Sequence, residues 1–151
     1  METTSFESIL NSHQFADFKL VVNNTPYLLH RAILNQRSSY FNKLFKQDPT
    51  LIHYEIEIDQ EIVGHMQSLF LWMYSSPHFR VNNSNFCCIT KLAMKFGVDT
   101  LIDQLLLWAT SNLDISTVLT FCRKLLHNRK ELPSFFSLFT NYMIRFFDQL
   151  D

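Results

Sequence analysis

The spacing of hydrophobic positions changes several times along the chain. Residues 18–22, "FKLVV", alternate Phe18, Leu20 and Val22 with Lys19 between them, the pattern of a half-buried strand. "NNTP" is a turn signal, and "YLLH" resumes an extended run, so a β-hairpin is expected. From Arg31 the period lengthens. Ala32, Ile33 and Leu34, then Tyr40, Phe41, Leu44 and Phe45, suit two short helices or one broken helix, stopped at Pro49. "YEIEID" alternates again and predicts a third strand with Ile56 and Ile58 inward.

Helical spacing then dominates. Ile62, Met66, Leu69, Phe70 and Met73 predict a helix over about 60–74, and "SSPHFRVNN" a loop. Phe86, Ile89, Leu92, Ala93 and Phe96 mark the next helix, with Gly97 as its C′ residue. Leu101, Ile102, Leu105 and Leu106 mark another over 99–112. Asp114 can cap a helix carrying Val118, Cys122, Leu125 and Leu126, and residues 134–150 form a last helix rich in Phe. Near the N-terminus, "SFESILNSHQ" reads as a short helix, with Ser5 as N-cap and Phe6, Ile9 and Leu10 on one face. A small sheet early and helices thereafter make an α+β arrangement.

Composition narrows the function. The chain has 151 residues, 47% of them hydrophobic, and 15 are Phe, enough for one domain with a substantial core. A formal charge of −1 supplies no field for nucleic acid or an anionic membrane. No run approaches the roughly 20 apolar residues that span a bilayer. "METTSFESIL" has neither a basic nor an apolar region, so no secretory signal is expected. Three Cys, two of them adjacent at 87 and 88, suit reduced thiols and a cytoplasmic or nuclear location. Only Gly64 and Gly97 occur, too few for a phosphate-cradling loop.

Asp17, His30 and Arg31 bracket the strand pair and could suggest catalysis. No nucleophile–base pair or metal set accompanies them, so no enzyme and no cofactor is expected. His30 ends a strand and has no second His four residues on; it is expected to be buried and hydrogen-bonded to backbone.

In order, "DFKLVV", "YLLHRAIL", "RSSYFNKLF", "YEIEID", "FLWMYSS" and "ITKLAMKFGVDTLIDQL" resemble the BTB/POZ domain from about residue 6 to 112. The resemblance implies a small three-stranded sheet flanked by a helical cluster. It divides the chain into a BTB/POZ domain at 1–112 and a helical extension at 113–151, similar to a 3-box or partial BACK domain. It also implies a protein–protein interaction module. Such modules self-associate, and many recruit cullin-3 as ubiquitin-ligase adaptors. The alternative is a stand-alone oligomerisation module, pairing with itself or with other BTB proteins, or acting in transcriptional repression.

The resemblance assigns residues as well. Phe6, Ile9 and Leu10 would form the interface of a homodimer, unless they pack on their own sheet. Asp17 and Arg31 would be a buried charged pair near that interface. Tyr40, Asn42, Phe45, Leu51, Ile52, Tyr54 and Tyr74 would face cullin-3. The loop that carries a hydrophobic-x-Glu motif in the family offers Leu51 and Ile52 here, but the nearest Glu is Glu55. Channel-tetramerisation relatives bind zinc through a His, a Cys and a Cys-Cys pair; Cys87 and Cys88 match the pair, but Gln60 and Met66 stand at the other two positions. No metal site is therefore expected. The broad apolar stripes of the last helix, including Phe135, Phe139 and Phe146 on one and Phe136 and Phe147 on its neighbour, fit core packing or a partner groove.

Overall fold

A computed structural model describes residues 5–114, 116, 117 and 120. The helix expected over 134–150, with its Phe stripes, lies outside the described residues, as do Val118, Cys122, Leu125 and Leu126. The chain divides after Ile102 into two units.

Helix α1 (Glu7–Ser12) comes first, and the sheet begins with β1 (Phe18–Val22) and β2 (Thr25–Leu29). The hairpin turn is shorter than "NNTP" suggests. Asn23 and Asn24 alone make it, both left-handed at φ 47 and 68, the two-residue geometry whose twist suits antiparallel strands. Thr25 and Pro26 already belong to β2 and pair with Val22 and Val21. Pro26 is tolerated because β2 is an edge strand in the order β2-β1-β3.

Two helices, α2 (Arg31–Arg37) and α3 (Ser39–Gln47), separate the hairpin from β3 (His53–Ile56). They provide the long crossover a parallel pairing requires, and β3 lies parallel to β1, with Leu20 opposite Tyr54. The α2–α3 break falls at Ser38, whose hydroxyl accepts the Phe41 amide as an N-cap. Beyond β3, Asn23 clamps Ile58 by two bonds of 2.8 Å: Nδ2 donates to the carbonyl, and Oδ1 accepts the amide.

The single helix expected over 60–74 is two, α4 (Gln60–Val63) and α5 (Met66–Met73), interrupted at Gly64, the weakest helix former in the run. Then follow α6 (Phe86–Lys95) and α7 (Asp99–Asn112). Helix α6 ends in a full Schellman motif. The Val98 amide donates to Ala93 O at 2.8 Å and the Gly97 amide to Met94 O at 3.3 Å, with Gly97 at φ 59. Beyond α7, the Asp114 carboxylate accepts the Thr117 amide at 2.7 Å, the contact an N-cap makes.

The core is aromatic where β1 meets α3. The Phe18 ring stands edge-on to Phe41 and Phe45 at 6.2 and 5.1 Å, and Phe96 stacks on Phe41 at 5.6 Å. Leu20, Leu34, Met66, Leu69, Phe70, Ile89 and Leu92 are fully buried.

Candidate functional site

Two surfaces hold the residues singled out above. The first is α1 and the turn after it. The helix has six residues, too few to be stable alone, and three bonds hold it. The Phe6 amide donates to Tyr74 O at 2.9 Å. The Glu7 carboxylate accepts from Ser76 Oγ at 2.8 Å and from His78 Nδ1 at 2.9 Å. The His78 bond, then the Ser76 bond, lowers the Glu7 pKa from its ordinary value. The expected cap is a correction: Phe6, not Ser5, holds the N-cap position and makes no side-chain cap bond, while the Ser5 hydroxyl, one residue earlier, accepts the Glu7 amide at 3.3 Å.

The apolar face of α1 is divided. Leu10 is buried within its own chain, Ile9 is half-buried and Phe6 is 43% exposed. Phe15, which sequence reasoning missed, follows in a left-handed turn at φ 62 and is 86% exposed. Its pattern gave no sign, because it falls between the α1 stripe and the β1 alternation.

Asp17 and Arg31 are not the expected buried ion pair. Asp17 is exposed, and its Oδ1 accepts the backbone amide of Arg31 at 2.8 Å. The first amides of a helix lack intrahelical partners, and a carboxylate at that end meets both the donor and the dipole. The Arg31 guanidinium lies 4.9 Å over the Phe45 ring and donates to Pro49 O. The backbone thus takes the contact that the charges were expected to make.

His30 is buried, as expected, and fully used. Its Nε2 lies 2.6 Å from Gln14 O, which can only accept. The proton is therefore on Nε2, and Nδ1 accepts from the Tyr74 hydroxyl at 2.9 Å. The same hydroxyl accepts the His30 backbone amide at 3.0 Å. Tyr74 is 0% exposed, so it cannot face a partner; it is a core residue. Burial pushes its hydroxyl up to about 12.

The second surface is a cleft of about 360 Å³ between α3, β3 and the end of α6. Tyr40 and Tyr54 both line it, with hydroxyls 3.4 Å apart; burial, then Tyr54, raises the Tyr40 pKa. Of the remaining residues expected to face cullin-3, Ile52 is 65% exposed and Leu51 half-buried, two and three positions before Tyr54. Asn42 is half-buried and donates to Asn35 Oδ1 at 3.0 Å. Phe45 is a correction: at 7% exposure it belongs to the core with Phe41. Their i, i+4 spacing carries both rings toward Phe18, and Leu44, between them in the sequence, is half-buried beside the cleft. Sequence reasoning missed Lys43, Met94 and Lys95, which line the cleft from two distant helices. Among the described residues, no group of three or more His, Cys, Asp or Glu could hold a metal ion. No helix among them is long and apolar enough to cross a membrane.

Comparison with known proteins places this geometry. A relative, the mouse zinc finger and BTB domain-containing protein 11, is 26% identical over 83 residues, or 55% of this chain. The aligned stretch covers 8% of that protein's length. The model of the BTB/POZ domain matches residues 6–130, well over half of the chain. The hairpin, the parallel third strand and the surrounding helices are those of a chain that belongs to the BTB/POZ domain family, a family of protein–protein interaction and oligomerisation modules.

Proposed function

We propose that this protein is a self-associating adaptor: it pairs through α1 and recruits cullin-3 through the surface around the α3–β3 cleft. The observation that carries the cullin-facing half is Ile52, a large aliphatic side chain 65% exposed on the strand approach to Tyr54. Fully burying such a side chain is worth roughly 1.5–3 kcal/mol, and Leu51 and Tyr54 stand close in the chain to complete an anchor cluster. Residues 113–151 belong to the same reading as a 3-box or BACK-like segment of the sequence. The interior of a cell, cytoplasm or nucleus, is where such an adaptor would work.

A second reading has its own observation. Phe6 leaves a large apolar surface open on a helix whose other contacts are already made, and a two-fold axis would make that face self-complementary. A plain oligomerisation module, pairing with itself or with another BTB protein and acting in transcriptional repression, needs only that face. The zinc finger relative favours it.

One experiment separates the two. Ile52→Asp should keep the melting temperature of the unmodified protein and abolish calorimetric binding of a cullin-3 N-terminal fragment. If the unmodified protein fails to bind that fragment at tens of micromolar, the oligomerisation module is the correct reading.

A further inference from the structure

We infer that the α3–β3–α6 cleft accepts a carboxylate side chain from an acidic segment of a protein partner. This rests on the proposal that the partner binds on this face, and goes beyond it by naming the chemistry the face selects.

The cleft is built of donors. Lys43 and Lys95 both line it, no acidic residue does, and among the described residues neither ammonium has an ion-pair partner. The Tyr40 hydroxyl donates to Tyr54, so the Tyr54 hydroxyl keeps its own proton for an incoming acceptor. Ser39, Lys43 and Gln47 recur at four-residue spacing and present one polar stripe of α3 to the cleft. Two cations concentrated on a chain with a formal charge of −1 form a local positive field that favours an anionic group.

The walls are fixed before any partner arrives. The Ser39 amide donates to Gly97 O at 3.1 Å, the Tyr40 amide to Phe96 O at 3.4 Å, and the Ser38 hydroxyl to Phe96 O. These bonds lock the start of α3 to the end of α6, so little ordering cost remains at binding. They also occupy the Ser39 and Tyr40 amides, so the free backbone N–H groups on which many phosphate sites rely are not offered by this end of α3. Leu44, Met94 and the Tyr40 ring provide apolar wall, which suits the methylene stem of Glu.

The test uses the full chain labelled with nitrogen-15, and a short helical peptide with Glu between Leu and Tyr, its Gln twin, and inorganic phosphate as probes. The Glu peptide should shift the amides of Lys43, Tyr54, Lys95 and Gly97 and bind about two- to fivefold more tightly than the Gln twin for each lysine engaged. Lys43→Gln with Lys95→Gln, both exposed positions, should leave the spectrum folded and erase that preference. Equal binding of the two peptides, absence of shifts, or equal shifts with inorganic phosphate would overturn the inference. The cullin-3 fragment separates the two claims. Binding unaffected by the lysine changes would leave the adaptor standing and remove the carboxylate site. A Glu-peptide preference without fragment binding would do the reverse.

Discussion

Replacing Tyr74 by Phe removes one oxygen atom and leaves the ring, so packing is unchanged and the consequence is confined to hydrogen bonds. That oxygen donates to His30 Nδ1 and accepts the His30 backbone amide. Both orphaned groups belong to a buried residue, and Nε2 is already committed to Gln14 O, so the imidazole cannot turn to find another donor without breaking that bond. A buried polar group left unsatisfied costs about 1–3 kcal/mol, so two cost about 2–6 kcal/mol, a large part of an ordinary domain's total of roughly 5–15 kcal/mol. Urea unfolding read by circular dichroism should show the midpoint falling in proportion. Tyr27→Phe is the matched control: its ring stays edge-on to Phe70 at 5.0 Å, and its hydroxyl has no hydrogen-bond partner among the described residues, so it should change stability by less than about 0.5 kcal/mol. Equal losses in the two variants would refute the reasoning.

The same oxygen gives a pH dependence with a definite sign. Burial raises the Tyr74 pKa from its ordinary 10.0 to about 12. The neutral hydroxyl is therefore favoured by folding, and its contribution is complete below pH 10 and is lost as pH rises from there through about 12. The unmodified protein should lose stability across that window, and Tyr74→Phe should lose less.

Other positions make separate claims. Gly97→Ala should cost at least about 1–2 kcal/mol from the left-handed backbone alone; because an added Cβ would sit 1.8 Å from Ser39 Oγ, Ser39→Ala should recover part of any further loss in thermal melts. Asp17→Ala should cost about 0.5–2 kcal/mol, as the loss of a helix cap does. Since Asp17 binds the Arg31 amide and not its side chain, Asp17→Ala and Arg31→Gln should be additive within about 0.5 kcal/mol, and a larger coupling would restore the ion pair. The Glu7 carboxyl, lowered by His78 and Ser76, should titrate below 4.5 by NMR. It holds α1 above that pH and releases it as pH falls through the lowered value; an ordinary titration would remove that clamp.

What the sequence made legible is what local periodicity encodes. The alternation in "FKLVV", the spacing in α6 and α7, and Gly97 as a helix stop each depend on neighbours within a few residues, and each stands where it was read. Long-range geometry was not legible. The resemblance alone places Tyr74 on the partner face, yet it is buried, with its hydroxyl bonded to His30 from the hairpin. Phe45, placed on the partner face by the resemblance, lies inside with its ring edge-on to Phe18 of β1, a contact between distant elements that the apolar pattern of α3 alone leaves undetermined.

Gly97 shows why the cleft escaped the sequence although its key residue did not. As a helix stop it needs only its positive φ, a local property that the α6 pattern announces. Its second property is the absence of a side chain where Ser39 arrives, and nothing near residue 97 encodes that. The close approach lets the Ser39 amide reach Gly97 O, which joins the first turn of α3 to the last turn of α6 and so brings Lys43 and Lys95 to one cleft. Each lysine alone reads as an ordinary solvated position on a helix. Their shared field exists only because a residue chosen for one turn leaves room for another, and the charge of the cleft is therefore a property of the fold.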